Sequence, residues 1–365
     1  MAAPDHRPAD GASAARPSAA RPSADRPSSD GPAADRPWLA DPGSAGEAPP
    51  PGYTSTAEYR SRLDALVAGA GGRVTQDVLG HTVEGRPIPV LHIGAPGGRP
   101  DPARPQALVL GGIHGCEVIA TELALDVVAG LAAPAPTGRA AEVRDVADVV
   151  AVPMLNIDGR VASLRSLGRR RAWNPAPRRN AHGVDLNRNW PFPEGVVDSW
   201  LPIAGTPISW LPWYRGPMPL SEPETRALAA LADEVRPFAL LNLHSTGSIL
   251  THPWSSKPEV PADLAGWQAM IAAFNDAQPT WTYRSKQSRA WYPILGSSND
   301  WFYDRFGTLA MTVEVSPPAA EVRADAGKAR WFFWYANPVD RQGWVDNDRD
   351  GCLAALVAAH DHRHG

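Results

Sequence analysis

The hydrophobic pattern changes period repeatedly along the chain, from helical stripes to short strand-like runs. Tyr59, Leu63, Leu66 and Val67 recur near helical spacing and predict a helix over Thr56–Ala68. Pro87–Ile93 alternates as a strand. Ala107–Leu110 is a short apolar run ending in Gly111-Gly112, which predicts a buried strand entering a tight turn. Val118, Leu123, Val127 and Leu131 then mark a helix over Glu117–Leu131. Val149–Leu155, Ala239–Leu243 and Leu309–Val315 read as three further buried strands. Between the last two strands and the one before them lies a helix over Glu222–Val235. It starts after Ser221, whose S-x-x-E spacing to Glu224 predicts a capping box. A terminal helix covers Gly351–His360 and starts a few residues earlier. Strands alternating with helices predict an α/β layer structure.

Residues 1–52 are a different kind of polymer. Pro17, Pro22, Pro27, Pro32 and Pro37 recur every five residues in a tract of Ala, Ser, Asp and Arg. With almost no apolar side chains to offset ordering entropy, this tract is expected to be disordered with polyproline II character. The boundary is placed at Pro49–Gly52, and 53–365 is read as the folded part. The N-terminus has no apolar h-region and the chain no run of about 18 apolar residues. Neither a secretory signal nor a spanning helix is therefore expected, and the cytoplasm is the default compartment. The net charge is −4 and 43% of residues are hydrophobic, which argues for a sizeable core and against bulk binding to nucleic acid or anionic membrane. Two cysteines, Cys116 and Cys352, exclude a disulfide framework and leave a single bridge open.

Chemistry gathers at the predicted strand ends. The first buried strand runs into GGIHGCE, with His114 and Glu117 three apart across a strand-to-helix turn. Another ends in LHSTG, placing His244 at its carboxyl edge, and the last carries Glu314 within TVEVS. Open α/β sheets collect ligands at the carboxyl ends of their strands, so these side chains are candidates to converge. Two imidazoles and one carboxylate, with a fourth position free for water, form a catalytic zinc set. Taken singly, His114-x-x-Glu117 reads as surface or capping chemistry and His244 as a hydrogen-bonded core histidine. Glu314 is costly to bury without a partner.

From about Tyr53 onward the chain resembles the M14-type metallocarboxypeptidases. The resemblance rests on spaced segments in the right order: Gly80–Ile88, His114–Glu117, Asn156–Gly159, Gly183–Trp190 (GVDLNRNW), Ser221–Thr225, Leu243–Leu250, Tyr292–Trp301 and Thr312–Ser316. It implies an α/β fold with a mixed, twisted sheet of about eight strands and helices on both faces, forming one catalytic domain. By the same resemblance His114, Glu117 and His244 hold one zinc ion, and Glu314 acts as general base and acid toward a metal-activated water. Asn187 and Arg188 bind a substrate's terminal carboxylate, and Tyr292 is the family's mobile tyrosine. Arg178, two before Asn180, is chosen as the arginine that polarises the carbonyl, with Arg179 and Arg171 as rivals. Asn299 occupies the specificity position, polar and uncharged, and leaves the preferred terminal residue open. The implied activity is zinc-dependent removal of a C-terminal amino acid from a peptide with a free carboxylate. Two alternatives stand beside it: a related amidase acting on cell-wall peptides or acylated amino acids, and a catalytically silent metal-binding module.

Other signals carry less. Cys116, between two candidate ligands, is read as packing. Asp346, Asp348, Asp350 and Gly351 mimic an EF-hand start, but Val357 stands where the bidentate glutamate belongs, so a solvated acidic helix start is expected. His360, His362 and His364 suggest only adventitious metal binding. The four tryptophans between Trp190 and Trp213 suit either a cleft-lining loop or a packed aromatic cluster. No G-x-S-x-G elbow is present, which disfavours a serine hydrolase.

Overall fold

A computed structural model describes residues 46–94, 101, 103–167, 178–199, 201–318, 320–330 and 333–365. Most of the proline-rich tract, together with Arg171 and Trp200, lies outside them. Eight strands form one sheet: β1 (Val74–His81), β2 (Pro87–Ile93), β3 (Gln106–Leu110), β4 (Asp148–Val152), β5 (Ala239–His244), β6 (Ile249–His252), β7 (Arg284–Gln287) and β8 (Leu309–Glu314). Their order is β1-β2-β4-β3-β5-β8-β6-β7. β4, β3, β5 and β8 run parallel at the centre, while β1, β2 and β6 pair antiparallel to their inner neighbours. β3, β4 and β5 are buried at every residue. That is why they read as continuous apolar runs rather than as an alternation.

The helices are α1 (Thr56–Gly69), α2 (Val118–Ala132), α3 (Gly138–Val146), α4 (Ile157–Leu167), α5 (Pro223–Val235), α6 (Leu264–Asp276), α7 (Ser298–Phe306), two short turns α8 (Ala320–Ala324) and α9 (Phe333–Ala336), and α10 (Arg341–His364). They cover both faces of the mixed sheet, as expected. α10 packs on α2, α3 and α6, while α5 lies against β1 and α7 against β8. One hydrophobic core runs from Tyr53 to Ala359. The described residues just before it already touch the body: Glu47 accepts a hydrogen bond from the Thr56 amide at 2.7 Å and Pro50 is buried.

Several sequence expectations change in the structure. The capping box expected at Ser221/Glu224 does not form. α5 begins at Pro223, the Ser221 hydroxyl donates to Glu222 Oε1, and Glu224 turns inward to accept from the Val83 amide and Asn180 Nδ2. A capping box forms instead at α1, between Ser55 and Glu58. The strand expected to reach Leu155 ends at Val152, although the Leu155 and Asn156 amides still bond Gly111 and Gly112. The terminal helix starts at Arg341, capped by the Asp340 carboxylate. Asp348 is not part of a solvated start: it is buried within α10 and accepts from Gln278 Nε2, Tyr283 Oη and Asn347 Nδ2. A helical repeat placed it on the face toward α6, where neutral donors compensate its burial. The tryptophans split: Trp190 packs against Trp301 in the core, while Trp210 is 77% exposed. Cys116 and Cys352 are both free and buried.

Candidate metal centre and active site

The carboxyl edge of the central parallel strands builds the site. β3 leads through Gly111 and Gly112 to His114 and Glu117, in the turn just before α2. β5 ends at His244, and β8 ends at Glu314 directly beside it in parallel register. Residues 70 positions apart in sequence are thereby neighbours. His114 Nδ1 lies 2.8 Å from Glu117 Oε1, and His244 Nδ1 lies 2.8 Å from Glu117 Oε2. One ligand atom from each of the three falls within 4.8 Å of the others, and all three side chains are buried.

Close backbone approach makes this possible. At Gly115 a Cβ would stand 2.1 Å from the Gly159 carbonyl carbon, so only glycine lets the ligand loop rest on the start of α4. Asn156 completes that junction: its Nδ2 donates to the carbonyls of Ile113 and Arg178, and its Oδ1 accepts from the Gly159 amide. Asp158 in turn accepts from Thr82 Oγ1, the Glu84 amide and Arg86. Motifs that looked separate along the chain are thus partners in one scaffold.

Arg178 faces the cluster. Its Nη1 is 2.9 Å from Glu117 Oε1 and its Nε 3.0 Å from Asp185 Oδ2. Arg179 turns away, donating to the carbonyls of Ser209 and Leu211. Asp185 was not singled out from sequence. Its Oδ1 lies 3.0 Å from His114 Nε2, so one carboxylate orients both a candidate ligand and the arginine. It sat inside a quoted motif, but nothing in the spacing connected it with a histidine 71 residues earlier.

Asn187 and Arg188 line the same cavity, of about 160 Å³, as His114, Glu117, His244 and Glu314. The Ser298 amide and hydroxyl both donate to Asn187 Oδ1, at 3.0 and 2.9 Å, so its Nδ2 is the free donor. Arg188 is buried, donates one N–H each from Nη1 and Nη2 to the carbonyls of Asn187 and Ile203, has no hydrogen-bond partner at Nε, and stands 3.9 Å from Asp185. At Gly296 a Cβ would come within 2.2 Å of the Arg188 carbonyl oxygen, so the Gly-Ser-Ser turn packs directly on this arginine. Tyr292 and Trp291 also border the cavity. Asn299 is buried behind it and does not reach it: it accepts from Asn242 Nδ2 and donates to Thr312 Oγ1.

The two glutamates differ sharply. Burial alone raises a carboxyl pKa, and in Glu117 the adjacent His114 and His244 overcome it and hold the group well below its usual range. Burial lifts Glu314 to about 7, Glu117 adds to the rise, and His244 and Arg178 oppose it.

Comparison with known proteins agrees with this geometry. The family model described as zinc carboxypeptidase matches residues 59–328. The chain belongs to the zinc carboxypeptidase family. Carboxypeptidase B of Rattus norvegicus is 28% identical over 257 residues, covering 66% of this chain and 58% of that protein. Carboxypeptidase A2 of the same animal is 28% identical over 263 residues, 69% and 60% respectively. The chain therefore spans less than two-thirds of the length of these curated relatives. Among solved structures, carboxypeptidase A from Helicoverpa armigera matches with a TM-score of 0.68 at 20% identity, over 84% of this chain and 74% of that one, which shows the shared fold.

The zinc that the family implies fits the residues present. Two imidazole nitrogens and a carboxylate are the donor set that borderline divalent metals prefer, and an outer carboxylate, Asp185, holds His114 through its far nitrogen. Among the described residues no other group of three such side chains converges, the terminal histidines included. No helix among them is long and apolar enough to cross a membrane.

Proposed function

We propose that this protein is a metallocarboxypeptidase that removes the C-terminal residue of a peptide with a free carboxylate. One observation carries the reading: an oriented amide donor and a buried guanidinium line the same small cavity as the His-Glu-His cluster and a half-buried glutamate whose carboxyl is lifted to about 7. A site that needs only to cut an amide has no use for a fixed cation and donor beside the reacting carbon. A site that must recognise a chain end does.

His114, Glu117 and His244 would hold the zinc, which supplies Lewis-acid polarisation and activation of water. The chain's own residues do the rest. Asn187 Nδ2 and Arg188 anchor the terminal carboxylate and thereby select an end over an internal bond. Arg178 presents its guanidinium to the carbonyl oxygen, where negative charge grows as water adds to the carbonyl carbon. Glu314 takes the proton from that water and returns it to the amine as the C–N bond breaks. Tyr292, at the cavity border, covers the bound end and excludes bulk water.

The test is a matched panel of acyl dipeptides with free and amidated C-termini, assayed with and without a chelator. Expected is turnover of the free acids alone, abolished by the chelator and restored by zinc. Equal turnover of the amides would overturn the carboxypeptidase reading and favour an amidase. Zinc binding with no turnover of any amide bond would favour a silent module.

A further inference from the structure

The inner wall of the cavity has a hydrogen-bond polarity that no family assignment supplies. It is lined by Thr251, Ser255, Ser288, Ile294, Ser297 and Thr312, five hydroxyls and one apolar side chain, with no acidic or basic group among them. Thr251 and Thr312 are cross-strand partners on β6 and β8. Thr312 lies two residues before Glu314, so the strand's alternation places both on one side of the sheet.

The roles of these two hydroxyls are set from behind. Asn242 Nδ2 donates to Asn299 Oδ1 at 2.9 Å, which turns the Asn299 amide so that its Nδ2 donates to Thr312 Oγ1 at 2.8 Å. The Ser288 hydroxyl donates to Thr251 Oγ1 at 2.9 Å. Each threonine oxygen is therefore already an acceptor, and among the described residues neither threonine proton has an acceptor of its own. Both O–H groups are left to donate to whatever occupies the cavity.

We infer that the paired donors Thr251 and Thr312 make this site selective for a terminal residue whose uncharged side chain ends in a carbonyl acceptor, namely asparagine or glutamine. The inference rests on the carboxypeptidase reading and deepens it. An aliphatic side chain filling the cavity strands both donors, one on buried Thr251 and one on half-buried Thr312, which costs more than its own burial returns. A terminal lysine or arginine finds no carboxylate among these hydroxyls, and a terminal aspartate must bury a second charge without a cation of its own. An amide satisfies both donors with its oxygen, and its N–H groups find lone pairs on the surrounding serines.

The experiment uses the zinc-loaded full chain and acyl dipeptides ending in Asn, Gln, Leu, Phe, Asp or Lys. Expected is a kcat/KM for the Asn or Gln peptide at least tenfold above that for Leu, the near-isosteric control. In Thr312→Val the Asn-to-Leu ratio falls roughly threefold to tenfold, the loss of about one hydrogen bond. Thr251→Val reads the same quantity should the first variant not fold. Turnover that favours Leu, Phe, Asp or Lys, or a ratio unmoved in both variants, overturns this inference while leaving the carboxypeptidase reading intact. Failure to cleave any of the free acids overturns both.

Discussion

Glu117 and Glu314 are the same side chain, one buried and one half-buried, and their surroundings drive them apart. Glu117 stands between two imidazoles, with Arg178 at 2.9 Å, and stays ionised. Glu314 has only opposed, more distant charges and is lifted to about 7, where a carboxylate can both accept and return a proton. The separation suits Glu117 to the ligand role and Glu314 to the proton-carrying role proposed for them. Glu314→Gln should keep one zinc per chain by elemental analysis yet lose roughly 10²–10⁴-fold in kcat. Asp185 acts one step further out, through His114. Asp185→Asn keeps the shape but removes the negative partner of the imidazole, so zinc affinity should fall roughly 10–100-fold in a chelator competition. An unchanged affinity would mean that Asp185 serves Arg178 alone.

At the scale of elements, the site is a set of junctions between turns. Gly115 against Gly159 lets the turn after β3 lie on the start of α4, and Asn156 bonds both to the carbonyl of Arg178. Ser298, at the start of α7, fixes which face of Asn187 looks into the cavity. Gly115→Ala has no room for its methyl group, so the loop carrying His114 must move. It should cost at least about 2 kcal/mol in urea unfolding and lower zinc occupancy together. A variant of normal stability and occupancy would show that this packing is looser than the backbone distances indicate. The motifs that were legible in the sequence are these junction residues. Their spacing is conspicuous because glycine, asparagine and aspartate are needed where backbones meet. β1, β6 and β7 left no comparable trace. β1 and β7 are edge strands, half-exposed or exposed, where residues such as Arg284–Gln287 are free to be polar, and β6 is only four residues long.

Across the whole molecule, α10 ties the far side of the core to the site. Asp348 accepts from Tyr283 Oη, which itself accepts from the Ser316 amide, two residues beyond Glu314. Burial raises the Asp348 carboxyl to about 6, with hydrogen bonds from Tyr283, Asn347 and Gln278 pulling it back. The folded state thus binds this proton more tightly than the unfolded chain, whose aspartate titrates near pH 3.9. Its contribution is fully present below about pH 4 and is lost as pH rises through about 6. Relative to Asp348→Asn, the parent chain should lose of order 3 kcal/mol between those limits, read from paired urea denaturations. A difference flat with pH would show that Asp348 titrates normally.

The sequence by itself determined the central strands, the principal helices and the inventory of chemical groups at the strand ends. Those follow from local periodicity and from which residues tolerate burial, and both are properties of short windows. It left open which arginine faces the His-Glu-His cluster, that Asp185 buttresses His114, that Asp348 is buried, and which side of Asn187 and of the paired threonines meets the cavity. Each of these is a matter of orientation between segments tens to hundreds of residues apart. Only the packing of β5 against β8, α4 against the ligand loop and α7 beneath Asn187 brings those segments close enough for one to decide the other's hydrogen bonds.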